Sequence, residues 1–380
     1  MNWTLLVPGA LLPPRLAPEL ARAMRVPSLV QQLALARPLP PAARADAGAP
    51  SGAHTAAAHW RWLAQDLGLD DTDLATAPYC WRGASADGAA PAGDDDAWIA
   101  HCEPVHLAIA RDHFVVTDLG DAPLTEPETD ELLERANAVL AAETGGAPSL
   151  QLHVRGGRWF LRSAEALQLK TWSLDAVLGQ SVQERLPVDT GRRGDARRWR
   201  VLGNEIQMSW HASRTSEQRE TAGARTANAL WLHGGGAWRR LHHVSARTLR
   251  VDPASAESAA LHGWMLAGAG GAPIAPGADV LALCRALFVP FAHQAWESWL
   301  ERLGAVEAQL EAELQAARAA GARRFDLVLC GAAQARTIGL PLQVPWWRRL
   351  RAHAHPPAVV LERWLAEPAP ADALPGALAA

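Results

Sequence analysis

Short apolar runs alternate along this chain with segments of helical periodicity, and this alternation is the strongest limit on the fold. WTLLVPGALL (3–12) and FDLVLCG (325–331) are typical of buried strands. Between 293 and 321, by contrast, large apolar residues recur every three or four positions, as on one face of a helix. Because strands and helices are interspersed, the sequence predicts the α/β class, with mixed α+β as the alternative.

Three further segments carry local structural signals. The segment 97–119 contains the apolar runs WIAHC and HFVVTDL, which suit two strands. Thr125 followed three residues later by Glu128 is a capping-box pattern and predicts that a helix begins there. SLQLHVRGGRWFLR (149–162) predicts a hairpin, because its Gly-Gly pair can supply the positive φ angles of a tight turn.

The length of the chain is compatible with one large domain or two domains, and the favoured arrangement is a single large domain over 1–370. The chain has 380 residues, of which 49% are apolar, enough for a sizeable core. Pro-, Ala- and Gly-rich segments at 38–53 and 83–96 predict mobile loops within it, and 371–380 predicts a frayed tail.

The net charge and the cysteine spacing indicate which classes of partner and which cellular compartment to expect. The net charge of −4 provides no basic excess for binding nucleic acid. No apolar run reaches about 18 residues, so we expect no membrane span, and the first residues do not resemble a signal peptide. The four cysteines form no CxxC pair, which favours a reducing cytoplasm over a disulfide-rich secreted protein.

A histidine and three glycines close the apolar run TANALWLHGGG (226–236). Some esterases have an HGGG oxyanion loop, but they also need a GxSxG nucleophile elbow, which this sequence lacks. The glycines are not followed by GK[ST], which excludes a P-loop. The favoured interpretation is a buried strand that ends in a glycine turn, where Gly235 can bring the backbone close to a ligand.

HCEPVH holds the densest set of candidate metal ligands, His101, Cys102 and His106 together with Glu103. Zinc accepts nitrogen, sulfur and oxygen donors of these types. Pro104, however, is expected to interrupt the segment, and no second cluster has matching spacing. We therefore expect no metal site here, with Cys102 buried and the histidines making local hydrogen bonds.

GNEIQMSWH (203–211) predicts a helix that Asn204 caps. Glu205 and Ser209 share a helical face, as do Gln207 and His211. Two interpretations remain open for these polar side chains. They line a ligand cleft, or they form a hydrogen-bond network that ties the helix to the strand at 228–232.

The order of motifs from Thr171 to Gly236 resembles a known family. TWSLDAVLGQSVQERLP, NEIQMSWH, RETAG and ANALWLHGGG follow one another there. This order resembles archaeal-type cofactor-independent phosphoglycerate mutases, and more closely the RpfE-type regulatory proteins of proteobacteria. PVHL (104–107) and VPWWRRLR (344–351) are similar to the same group.

The resemblance to the mutases implies an alkaline-phosphatase-like α/β fold in degenerate form. Those enzymes use two divalent metals and a serine nucleophile to transfer a phosphoryl group, and their metals need Asp and His ligands at strand ends. Here Pro8-Gly9 follows the first strand and Cys330-Gly331 follows a late one. Ser213–Ser216 also replaces the family's HPVN element. The scaffold is therefore expected to lack the two-metal site.

We expect a non-catalytic regulatory or interaction protein of the bacterial cytoplasm. It is expected to have no cofactor, no nucleic-acid or membrane partner, and a protein as its candidate partner. One alternative is a metal-dependent phosphotransferase or phosphatase, and the other is a small-ligand-binding module. The enzyme's ligands would be drawn from Asp118, His101, His106, His211 and His233. The candidate ligand-binding residues are Asn204, Glu205, His211, Arg219, Asn228, His233, Gly234, Gly235 and Gly236.

Overall fold

The computed structural model describes the greater part of the chain, in the ranges 1–39, 55–69, 75–84, 97–143, 149–191, 194–241, 244, 247–269, 277–347 and 356–368. The predicted loops at 38–53 and 83–96 and the predicted tail at 371–380 lie almost wholly outside these ranges.

The strands, in chain order, are β1 (Asn2–Pro8), β2 (Arg37–Pro38), β3 (Trp98–Ala110), β4 (His113–Thr117), β5 (Leu150–Arg155), β6 (Arg158–Ser163), β7 (Leu169–Lys170), β8 (Val188–Asp189), β9 (Ala229–Ala237), β10 (Thr248–Arg250), β11 (Val280–Leu283), β12 (Arg324–Cys330) and β13 (Ala335–Leu340).

The helices are α1 (Ala17–Ala23), α2 (Pro27–Ala34), α3 (Ala58–Asp66), α4 (Ala77–Gly83), α5 (Glu126–Glu143), α6 (Leu174–Val177), α7 (Asp195–His211), α8 (Arg214–Thr221), α9 (Ala256–Ala269), α10 (Phe288–Ala292), α11 (Trp296–Ala319) and α12 (Pro357–Leu365).

The chain divides into two compact units. Unit 1 comprises Met1–Thr72, Ser245–Asp252 and Pro273–Ala380, and unit 2 comprises Asp73–Val244 and Pro253–Ala272. The single domain expected over 1–370 stays a prediction, because compactness does not decide whether the units fold independently.

Unit 1 is built on a six-stranded sheet in the order β10-β11-β1-β12-β13-β2. The first four strands are parallel, and β13 and β2 are antiparallel additions. All four residues of β11 are buried, as parallel strands covered on both faces require. The apolar face of α11, including Trp299, Leu303 and Leu310, belongs to the core of this unit.

Unit 2 is built on a sheet in the order β4-β3-β6-β5, with β9 also pairing with β3, together with a short β7–β8 ribbon. Alternate residues of β3 point to opposite faces of this sheet. Trp98, Ala100 and Cys102 belong to a core with α5 and α7, which cover one face. Helix α4 contacts β3 and β9 and packs closely on α9.

Most local predictions are confirmed. The first strand ends at Pro8, and Gly9 follows with φ +76°. Thr125 N donates to Glu128 Oε2 over 2.7 Å, as a capping box requires, and α5 begins at the next residue. The mixed α/β class is confirmed, since helices and strands alternate in both units.

The structure corrects three local predictions. Strand β3 runs through Pro104 without interruption, because its pairing changes there from β6 to β4 and the missing N–H costs little. Asn204 does not cap a helix, because α7 begins nine residues earlier, after Gly194 at φ +75°. The predicted glycine turn is also wrong, since β9 continues through Gly236.

A β-bulge replaces that turn. Ile99 pairs with Gly236 and His101 with His233, so β9 holds one more residue than β3 over this interval. Gly234 has φ +61°, a conformation that strains other L residues. A side chain at Gly235 would also collide with the Trp98 ring. The glycines therefore serve a special backbone conformation, but in a bulge within the strand and not in a turn at its end.

Within the described ranges, no helix is long and apolar enough to cross a membrane.

Candidate functional site

Two histidines meet on the face of the unit 2 sheet opposite the α5–α7 core. His101 lies directly across from His233 on β9 and from Phe160 on β6. The imidazole rings of His101 and His233 stack with centroids 4.8 Å apart, and the Phe160 ring lies 5.1 Å from His101. Only 2% of His101 and 8% of His233 are exposed. Strand register thus builds a buried imidazole pair from residues 132 positions apart (233 − 101).

A carboxylate and a guanidinium complete this group, which we call the histidine–glutamate cluster (His101, Glu103, Arg158 and His233). Glu103 shares the face of His101 because it lies two residues further along β3. His233 Nε2 is 3.6 Å from Glu103 Oε2, and Arg158 Nη1 is 3.9 Å from Glu103 Oε1. These are ion-pair distances and exceed those of hydrogen bonds.

Burial governs the charges of the cluster. Burial, reinforced by the neighbouring His233, lowers the pKa of His101 to about 3, so its imidazole is neutral at pH 7. Burial alone would raise the pKa of Glu103. The contact with His233 and the neighbouring His101 and Arg158 outweigh burial and lower the pKa of Glu103, so its carboxylate is ionised at pH 7.

The imidazole pair has unused hydrogen-bonding capacity. His101 Nδ1 and both ring nitrogens of His233 are buried without a hydrogen-bond partner in the described structure. Unpaired buried polar atoms of this kind cost free energy and are uncommon in native proteins. These three nitrogens are therefore hydrogen-bonding atoms that the described protein groups leave unused.

Two further carboxylates of unit 2 lie close to each other. Asp175 is on α6, and Glu257, fully buried, is in the first turn of α9. A carboxylate oxygen of Asp175 lies within 4.8 Å of one of Glu257. Like charges this close favour either a shared proton or a bound cation.

An open cleft of about 440 Å³ lies elsewhere in unit 2. Its walls come from β3, from the residues before β9, and from the α7–α8 corner. The lining residues are His106, Leu107, Ala108, Ile109, Gln207, His211, Ser216, Glu220, Thr226, Ala227 and Asn228. His106 Nδ1 is 2.8 Å from the carbonyl oxygen of Thr226, so this nitrogen carries the proton.

Two candidate residues that fit the mutase pattern make contacts within the protein. Arg219 is 5% exposed, and its guanidinium donates to both carboxylate oxygens of Glu128 and to the carbonyls of Ala122, Pro123 and Arg225. These five bonds use all five of its N–H groups. The Asn228 side chain pairs with the backbone of Leu107 on β3.

The predicted candidates fall into separate places. His101 and His233 are together, whereas His106 and His211 line the cleft. Cys102 points to the opposite face of β3, where burial raises the pKa of its thiol. HCEPVH therefore does not form one ligand set, because its members alternate across the sheet.

The remaining candidates contribute backbone or surface. Asn204 and Glu205 are exposed on the middle of α7, away from the cleft. Gly234, Gly235 and Gly236 form the bulge beside the histidine–glutamate cluster. Asp118 Oδ1 is 3.0 Å from Arg225 Nη1.

Sequence reasoning noted Glu103 without selecting it, and it missed Arg158, Asp175 and Glu257. For Glu103 a signal was available, because a period of two in AHCEPVH places it on the face of His101. Arg158, Asp175 and Glu257 have no such local signal, because they come from segments that are far apart in the sequence.

In unit 1, the carboxyl ends of the central strands are occupied by the protein's own groups. Glu367 Oε1 accepts the N–H groups of Ala333 (3.0 Å) and Gln334 (2.9 Å) just beyond β12. Burial raises the pKa of this carboxyl group, against those hydrogen bonds and the charges of Arg336 and Arg61. The Trp299 indole donates to Gly9 O over 2.8 Å, just beyond β1.

No family model matches this chain, and no curated protein does. A cofactor-independent phosphoglycerate mutase from Thermoplasma acidophilum aligns over 90% of this chain and 89% of its own, with 11% identity and a TM-score of 0.33. The PH0037 protein from Pyrococcus horikoshii aligns over 89% and 86%, with 10% identity and a TM-score of 0.40. Both are distantly similar structures, and with TM-scores below 0.5 neither carries an argument about this chain.

Proposed function

We propose that this chain is a non-catalytic regulatory or interaction protein on a phosphoglycerate mutase-like scaffold. The observation that carries the proposal is the occupation of the carboxyl ends of β1 and β12, in the unit 1 sheet, by Trp299 and Glu367. In open α/β sheets, ligands bind outside the carboxyl ends of the strands. In this chain, side chains of the protein itself occupy that position at two strands.

Glu367 is the decisive residue of that edge. Consecutive backbone N–H groups after a strand form a natural anion site, which a phosphoryl-transfer enzyme would offer to its substrate. Here the Glu367 carboxylate takes the N–H groups of Ala333 and Gln334. Backbone pairing holds it there, since Leu12 N donates to Leu365 O (2.6 Å) and Glu367 N donates to Leu12 O (2.8 Å).

The location in the cytoplasm is part of the same proposal. It is supported by the four cysteines, which are all buried free thiols. Free thiols persist where glutathione and thioredoxin keep them reduced.

Phosphomonoester turnover tests the proposal. The full chain would be assayed with p-nitrophenyl phosphate and 3-phosphoglycerate in Mn²⁺ or Zn²⁺. We expect no metal-dependent turnover from the wild type or from Glu367→Ala, which empties the N–H pair. Glu362→Ala, at an exposed position of α12, is the matched control. Turnover by the wild type that depends on the metal would overturn the proposal.

A metal-dependent phosphotransferase or phosphatase is the second candidate, and one observation favours it. Asp175 and Glu257 bring two carboxylates within 4.8 Å in unit 2, as oxygen ligands of a divalent cation would be. Metal content after dialysis against Mn²⁺ and removal of free ion separates the candidates. The second candidate requires retained metal, which is lost when Asp175→Asn and Glu257→Gln are combined and is kept in the control Glu134→Gln, at an exposed position of α5. The first candidate predicts no retained metal in any of these proteins.

A further inference from the structure

The β3 strand has an open edge beside the cleft, and its hydrogen bonding can be worked out from β4. The Val116 N–H donates to the Gln180 carbonyl, and the Val116 carbonyl accepts from the Gly179 N–H. The Phe114 carbonyl accepts from the Val182 N–H. These groups therefore point away from β3. Directly opposite residues of antiparallel strands share this orientation, so the N–H and C=O groups of Leu107 and Ile109 point away from β4.

Asn228 occupies the first of these two positions. Its Oδ1 accepts the Leu107 N–H over 2.7 Å, and its Nδ2 donates to Leu107 O over 3.2 Å. A carboxamide has the same donor and acceptor as a peptide group. Asn228 thus pairs with this edge as a residue of a neighbouring strand would.

Ile109 occupies the second position, and nothing in the described part of the chain pairs with its backbone on this side. Its side chain is 79% exposed, and that of Phe114 directly across on β4 is 50% exposed. Exposed strand edges with apolar side chains are templates for pairing with another chain. The turn at Arg111, with φ +48°, ends the edge, so only a short segment can pair.

The opposite wall of the cleft supplies the charge that selects a partner. Glu220, exposed on α8, is the only carboxylate among the residues that line the cleft, and those residues include no Arg or Lys. A carboxylate with no cationic side chain beside it favours a donor-rich basic side chain on the partner.

We propose that the cleft binds a short extended peptide segment of a partner protein by β-strand addition. The segment's backbone pairs with Ile109 next to Asn228. Its apolar side chains cover Ile109, and a basic side chain reaches Glu220. Strand edge and helix wall together form the groove used in this mode of peptide recognition. The inference deepens the proposed interaction function and rests on it.

Fluorescence anisotropy with the full chain tests this. The probe is a labelled pool of nonapeptides with a fixed Val-Arg-Val core and random flanks. Matched pools carry Val-Glu-Val or N-methyl groups on alternate core amides. We expect the Arg pool to bind at least about tenfold more tightly than either matched pool, since backbone pairing and charge are each lost in one of them.

Protein variants locate the binding. Ile109→Pro removes the outward N–H without breaking a bond to β4, whereas Ile109→Thr keeps it. We expect about tenfold weaker binding for the proline variant and little change for the threonine variant. Glu220→Gln is expected to remove the preference for Arg over Glu. The N-methylated pool on wild-type protein keeps the test valid if the proline variant misfolds.

Three outcomes would overturn the inference. They are no binding of the Arg pool, binding that tolerates N-methylation, and a concentration-dependent dimer lost in Ile109→Pro, which would assign the edge to a second copy. None of them measures turnover. Failure here is therefore distinguishable from failure of the non-catalytic proposal, which rests on the phosphomonoester assay.

Discussion

Replacing His101 with leucine should make the protein less sensitive to mild acid. His101 is 2% exposed, lies between Phe160 and His233, and has a pKa lowered to about 3. Leucine has a similar volume, is apolar and cannot take up a proton. The substitution therefore removes one titration while keeping most of the packing.

The sign and size follow from proton linkage. A histidine whose folded pKa lies below its unfolded value of 6.5 favours the folded state while neutral. Its contribution is present above pH 6.5 and is lost progressively as pH falls towards the folded pKa. Between pH 7 and pH 5 the unfolded state gains most of one proton and the folded state almost none, which costs about 2 kcal/mol of stability.

Urea unfolding at pH 7 and pH 5, followed by circular dichroism, measures this difference. The wild type should lose about 2 kcal/mol more than His101→Leu over this range. His211→Gln, at an exposed position of α7, should lose as much as the wild type. Equal losses in the wild type and His101→Leu would mean that His101 titrates normally in the folded state. The account of the histidine–glutamate cluster as a buried site that keeps His101 neutral would then be wrong.

Three other substitutions test the packing of unit 2, all by urea unfolding at pH 7. Arg219→Met should lower the free energy of unfolding by about 3–5 kcal/mol. The reason is that Glu128 and three backbone carbonyls lose the hydrogen bonds that the guanidinium donates to them. Trp210→Phe should cost about 1–3 kcal/mol, because the buried indole N–H donates to a carbonyl of α5 over 2.9 Å. Gly234→Ala should cost about 1–3 kcal/mol, because φ is +61° and the new methyl group would press on Thr76 Oγ1.

Much of the fold was predictable because its signals are local. The capping box at Thr125 and Glu128, the glycine pair of the β5–β6 hairpin and the apolar stripe of α11 each depend on a few neighbouring residues. Propensity and periodicity describe such interactions well. The three corrected predictions depend instead on strand partners that lie far away in the sequence.

The candidate site was less predictable for the same reason. His101 and His233 are both candidate ligands of the alternative enzyme's site, and the structure brings these two together but not Asp118, His106 or His211. No local sequence signal shows that His101 and His233 lie opposite each other. Arg219 and Asn228 were selected for the resemblance they carry, and their side chains make structural bonds instead. Residues that match a family's motif can therefore have a structural role, and their hydrogen-bond partners show which role they have.

The alternation of side chains along β3 explains why neighbouring residues of this strand have different surroundings. Its even-numbered residues from Trp98 to Cys102 face the core, while His101 and Glu103 face the polar cluster. Pro104 lies where pairing passes from β6 to β4, so the strand continues into a region with fewer neighbours. The edge left open at Ile109 is on the opposite side of β3, where the pairing with β9 ends at Val105 and the Asn228 side chain covers Leu107. A partner segment bound there would add a strand beside β3, at the end of that strand away from the histidine–glutamate cluster.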